Sequence, residues 1–335
     1  WILTGSMSTA RQFHTQVTLT NGNVLVAGGF GTSGILSSSE VYNPSTGRWK
    51  TTGTMSNARA CHTASILPNG NVLIVGGLSM MSGILNNAEV YNPSTGFWTT
   101  TGTMSNARAC HTASILPNGN VLVTGGPSMS GPLSGAEVYN PSTGRWTTTG
   151  TMSSVRVGHT ASILTNGNIL VAGGQGDGDT VLRSAEVYDP STALWTTIGV
   201  MSTARFQHTA SILENGNVLV AGGFSISGIV NNAEVYNPST GLWTITGTMN
   251  TVRGGHIASV LTNGNVLFAG GRDDDGSVLS SVEVYNPFTG LWTTTDTMNI
   301  ARYAHTASIL ENGNVLVAGG TRNGTTMLDG AEVYG

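Results

Sequence analysis

The chain has 335 residues and a formal net charge of −4, and 9% of its residues are charged, against roughly 25% in ordinary soluble domains. Lys50 is the single lysine, so there is no basic field to hold nucleic acid or anionic lipid. No apolar run reaches the roughly 18 residues of a membrane span, and two cysteines, Cys61 and Cys110, do not make a disulfide framework.

The chain opens at Trp1 with neither an initiator methionine nor a signal peptide, and reads as a mature or excised piece. Its lysine-poor composition, rich in Thr, Ser, Asn and Gly, points to an extracellular, secreted setting. The first repeated unit begins at Arg11-x-x-His14. An alternating polar and apolar segment follows and reads as a strand, A. Asn21-Gly22 is a hairpin signal, because both residue types tolerate positive φ. The next run, Val24-Leu-Val-Ala-Gly28-Gly29, is apolar throughout and predicts a strand, B, buried on both faces. Glu40-Val-Tyr42 is strand C, Asn43-Pro-Ser-Thr-Gly47 turns the chain, and Trp49 opens strand D.

The same order returns at Arg59, Arg108, Arg156, Arg205, Arg253 and Arg302, in steps of 48 or 49 residues. Each arginine is followed 17 residues later by Gly-Gly, and each glutamate but the last is followed nine residues later by a tryptophan. The missing tryptophan would fall at position 341, whereas Trp1 stands unused before the first repeat. A four-stranded sheet that must bury both faces stacks radially or as a solenoid, and polar end caps are absent. The expected fold is therefore all-β: a seven-bladed β-propeller with four antiparallel strands per blade. Its ring closes when an N-terminal strand D joins C-terminal strands A to C. One domain covers 1–335, with blades at about 11–52, 59–101, 108–149, 156–198, 205–246, 253–295, and 302–335 plus 1–4.

Over its whole length the sequence resembles the kelch-repeat propellers: Arg-x-x-His, Gly-Gly after an apolar strand, Glu-Val-Tyr-Asn-Pro, and a Trp seven residues past the Tyr. The resemblance implies a propeller and is nearly silent on activity, since such propellers include adaptor modules, extracellular binding domains and galactose-oxidase-like copper enzymes. The copper enzymes need an axial cluster of tyrosines and histidines with an adjacent Tyr-His, and Tyr303-Ala304-His305 is the nearest approach here.

In a chain so poor in charge, the repeat arginines and glutamates are expected to pair within or between blades, as Arg59 with Glu40 or Glu89, and Arg108 with Glu137. The seven histidines sit on separate blades and read as hydrogen-bonded packing residues rather than metal ligands. Cys61 and Cys110 hold one register position in adjacent blades. Equivalent side chains point the same way round a ring, so the thiols are not expected to face each other.

The seven copies differ chiefly at two places: the loop between strands B and C, and the pair inside Arg-x-x-His. Strand order places both on one face of the disc, and loops on a rigid scaffold are where function concentrates. That face is the expected ligand surface, with Gln12, Phe13, Phe206, Gln207, Arg272, Tyr303 and Arg322 as candidate contacts. The acidic loops carrying Asp177 and Asp179, and Asp273 and Asp275, are weak Ca²⁺ candidates and read better as solvated loops. Asn323-Gly324-Thr325 is a glycosylation sequon, used only in a secretory pathway. The leading functional expectation is a non-catalytic module, without cofactor, that grips a protein or glycan. Self-association into an extracellular assembly, of which this chain is one unit cut from a longer concatemer, is the second expectation, and a copper enzyme the third.

Overall fold

The computed structural model describes residues 1–178 and 180–335 and contains no helix among them. Seven four-stranded antiparallel sheets form the blades of a ring. In blade 1, strands A to D are Thr15–Thr18, Val24–Ala27, Ser39–Asn43 and Arg48–Thr51, paired in sequence order. The next five blades repeat that order.

Blade 7 is mixed. Strands A, B and C are Thr306–Ile309, Val315–Ala318 and Ala331–Tyr334, and Ile2–Leu3 supplies D through Ile2↔Val333 and Leu3↔Glu332. Trp1 takes the place of the missing tryptophan. Its ring packs on Tyr334 at 5.2 Å, as Trp49 packs on Tyr42 at 5.0 Å. Its Nε1 donates to Asp296 O at 2.9 Å, as Trp49 Nε1 donates to Gly5 O at 2.7 Å.

Every B strand is buried from end to end, because neighbouring blades cover both of its faces. The core is correspondingly a set of inter-blade layers. Leu73, Val75 and Ala88 of blade 2, for example, pack against Val121, Val123 and Tyr139 of blade 3. The A strands line the axis, around a channel of about 800 Å³.

Two local features differ from the sequence reading. The A–B hairpins are not two-residue Asn-Gly turns with both residues left-handed. Leu19 N donates to Asn23 O and Gly22 N to Leu19 O, and only the glycine has positive φ, 79°. The asparagine keeps right-handed backbone because its Oδ1 accepts from Asn23 N, a side-chain turn that competes with the two-residue form. The Gly-Gly pairs lie beyond strand B rather than inside it. A Cβ on Gly222 would stand 2.6 Å from Arg253 O and 2.7 Å from the His256 ring of the next blade, so that close approach demands glycine.

Candidate functional site at the axial mouth

The Arg-x-x-His segment is held by a buried ion pair in every blade. Arg59 Nη2 meets Glu89 Oε1 at 2.8 Å, with both side chains 0% exposed, so the glutamate comes from the same blade and not from Glu40. Arg108 and Glu137 pair likewise at 3.1 Å. Arg59 Nη1 also donates to Gly76 O and Asn87 O, and Glu89 accepts from the amides of Ser56 and Asn57. Burial lowers the arginine pKa and the glutamate opposes the shift, a compensated arrangement that keeps the charge paired.

The histidine that follows ties blade to blade. His62 Nε2 meets Thr15 Oγ1 of the preceding blade at 2.9 Å, and the pattern repeats to His14 with Thr306. His305 is the exception. Ile257 replaces the threonine, and both ring nitrogens of His305 are buried without a partner. Desolvation pushes the histidines below their usual range, to about 3 for His62, His159 and His305.

Between clamp and link, the residue before each histidine adopts left-handed backbone: Phe13 (φ 52°), Cys61 (53°), Cys110 (44°), Gly158 (64°), Gln207 (48°), Gly255 (62°) and Ala304 (54°). Left-handed backbone costs an L-residue roughly 1–2 kcal/mol and persists where the surroundings over-determine it. The surroundings are visible. Cys61 N donates to Phe13 O, Cys110 N to Cys61 O, Gln207 N to Gly158 O, Gly255 N to Gln207 O and Phe13 N to Ala304 O. These five links form a head-to-tail belt in two arcs, Ala304 to Cys110 and Gly158 to Gly255, with no such bond among the described residues between Cys110 and Gly158 or between Gly255 and Ala304. All seven residues line one cavity of about 330 Å³ at the mouth. Sequence reasoning did not find this belt, although Gly158 and Gly255 in two of the seven copies are its signal.

The residue after each repeat arginine pairs with the start of its own B–C loop, which stands above the disc as a short hairpin. Gln12 bridges to Phe30, Phe206 to Phe224, Gly254 to Arg272 and Tyr303 to Thr321. The two variable segments are thus hydrogen-bonded together. Phe13, Gln207, Arg272 and Tyr303 form one cluster: Phe13 meets Tyr303 edge-on at 6.2 Å, and the Arg272 guanidinium lies 4.3 Å over the Tyr303 ring. Tyr303 Oη reaches Gln207 Oε1 at 3.5 Å. The missing side chain of Gly255 makes room, since a Cβ there would stand 2.3 Å from the Tyr303 ring. Burial raises the Tyr303 pKa, with Arg272 opposing. Phe206 belongs to a separate stack with Phe224 at 5.4 Å, and Gln12 is half-buried beside Phe30. Arg322 is exposed on the blade 7 hairpin, outside the cluster.

The cysteines depart from the sequence expectation. Cys61 and Cys110 are adjacent in the belt, line the same cavity, and each thiol shifts the pKa of the other. Blades fan out from the axis, so equivalent positions close to it converge where equivalent positions at the rim diverge. Both cysteines are free.

The acidic loops are locally satisfied. Asp273 and Asp275 both accept from Ser277 N, Asp177 is exposed, and Asp179 lies outside the described residues. Asn323 Oδ1 caps its own loop by accepting from Thr325 N and Thr326 N. Among the described residues, no three His, Cys, Asp or Glu side chains gather around a point.

The geometry defines a class, the seven-bladed propeller with a clamped axial mouth. The KLHDC2/KLHL20/DRC7 Kelch-repeats domain matches residues 118–320, and the Kelch motif matches residues 14–56 and 59–105. The chain belongs to the kelch-repeat propellers. No curated protein sequence matches it significantly. Among solved structures it is similar to a fungal alcohol oxidase of the AA5 family in complex with copper, with TM-score 0.78 and 19% identity, over 97% of this chain and 74% of the other. It is also similar to YjhT, with TM-score 0.68 and 16% identity, over 87% of this chain and 99% of the other. At these identities the likeness is one of fold. At the mouth, six of the seven imidazoles pair Nε2 with threonine hydroxyls, and Tyr303 lies beneath the Arg272 guanidinium.

Proposed function

We propose that this propeller is a non-catalytic binding module whose ligand, a protein or glycan segment, docks on the axial mouth and the hairpins around it. One observation carries the reading: the variable residue before each histidine lines a single cavity in all seven copies, on backbone held left-handed in every blade. A concave, mostly apolar site with a few convergent polar groups is the usual form of a recognition pocket. Phe13, Tyr303 and Arg272 supply the aromatic and arginine anchors that dominate binding energy. Exposed Met80, Met81, Met129 and Ile226 on the hairpin tips widen the apolar surface. The secreted setting rests on composition alone.

The test is a screen of peptide-display and glycan arrays with the intact chain, repeated with Phe13→Ala and Arg272→Ala. The expected result is a ligand whose affinity falls about tenfold, roughly 1.4 kcal/mol, in either variant but not in Thr147→Ala on the rim. Binding that ignores both mouth substitutions overturns the reading.

A second reading, self-association, is favoured by the rim. Phe97, Leu194, Leu242, Leu291 and Ile245 are exposed on the D strands, each the outer edge of its sheet and open to further pairing. A monomer in light scattering would remove it.

A further inference from the structure

We propose that Cys61 and Cys110 form a reversible dithiol–disulfide couple at the axial mouth, oxidised by small disulfides of the glutathione class. They are consecutive members of the belt, from neighbouring blades, and Cys110 N donates to Cys61 O at 2.8 Å. That bond fixes the two backbones in register, and left-handed φ at both residues turns both side chains into one cavity. A backbone hydrogen bond between the two residues brings their Cα atoms within the separation a bridge requires. Both lie on the rim of an open cavity rather than inside a blade, so a small oxidant can reach them.

The geometry also assigns roles. Cys110 is exposed and Cys61 half-buried. The neighbouring Cys61 thiol lowers the Cys110 thiol pKa against the effect of burial, and the Cys110 thiol, with burial, raises that of Cys61. Thiolate character governs attack, so Cys110 is the attacking sulfur and Cys61 the resolving one.

In the first step the Cys110 thiolate attacks one sulfur of the small disulfide. A mixed disulfide forms and one thiolate leaves. In the second, Cys61 loses its proton to solvent and attacks Cys110 Sγ, forming the Cys61–Cys110 bond and expelling the second thiolate. The two electrons lost by the protein dithiol are gained by the reagent disulfide, which leaves as two thiols.

The experiment uses the intact chain, oxidised glutathione as the probe, an N-ethylmaleimide quench and intact-mass measurement. The expected product is a chain lighter by two hydrogens, carrying no label and no adduct, with a Cys61–Cys110 peptide in the digest. Cys61→Ser should stall with one glutathione on Cys110. Cys110→Ser should react at Cys61 roughly tenfold more slowly than Cys61→Ser reacts at Cys110. Wild type that keeps two alkylable thiols, or gathers two glutathione adducts, overturns the couple. Equal reactivity of the two variants overturns the assignment of roles. The wild-type measurement decides the couple even if a variant fails to fold.

Discussion

At the scale of single residues, the repeat acts as its own control. Six histidines reach a threonine hydroxyl on the preceding blade, and His305 meets Ile257 instead, with neither ring nitrogen satisfied. An unpartnered buried polar group costs roughly 1–3 kcal/mol. Replacing Ile257 by Thr and, separately, by Val compares two side chains of one shape that differ by a hydroxyl. The threonine variant should be more stable than the valine variant by about 1 kcal/mol in urea unfolding. Equal midpoints would show that His305 lacks nothing. The same comparison across copies explains what the sequence hides at the mouth. Phe13, Cys61, Cys110 and Gln207 do not announce left-handed backbone, and only Gly158 and Gly255 at the same register do. The cysteine expectation failed for a geometric reason: it treated blades as parallel plates, and near an axis they are wedges.

Within one blade, the Arg–Glu clamp was legible as a pattern of charge at fixed register in a chain of few charges. Which glutamate each arginine chooses was not, because Glu40 and Glu89 stand in equivalent sequence relations to a ring of unknown pitch. The structure answers with the same blade, through a guanidinium that also serves two carbonyls and a carboxylate that also serves entering amides. Glu137→Gln should therefore do more than remove one contact. It leaves Arg108 charged and buried, at an expected loss of roughly 3–5 kcal/mol, read as a lowered denaturation midpoint. Arg272 and Tyr303 show the opposite limit. Their stacking joins blades 6 and 7 through the space that Gly255 leaves empty, a contact set by tertiary packing that no single repeat encodes.

For the whole molecule, ring closure was legible by subtraction: one tryptophan short at the end, one unused at the start. Repetition also gives the molecule a collective pH response. All seven histidines are buried and neutral, with pKa values pushed down to about 3 in three of them and well below 6.5 in the others. The unfolded chain would bind protons near pH 6.5, so it holds more protons than the fold as pH falls from about 6.5 towards 3, and stability drops in that window. Each histidine removes about 1 kcal/mol per pH unit. Seven together should exhaust a typical stability of about 5–15 kcal/mol within roughly two units. Cooperative unfolding between about pH 4 and 5.5 is the expected outcome in tryptophan fluorescence, and a fold intact at pH 3.5 would contradict it.

The amide belt has an electrical consequence. In a helix, peptide dipoles add along one axis and leave a field at each end. Here, N–H follows C=O along two arcs that run the same way round a ring, broken between Cys110 and Gly158 and between Gly255 and Ala304, so the dipoles on opposite sides point in opposing directions and largely offset. The collar is rich in hydrogen bonds and has little macrodipole of its own. A molecule approaching along the axis meets shape, aromatic surface and one guanidinium, with little pull from the backbone itself.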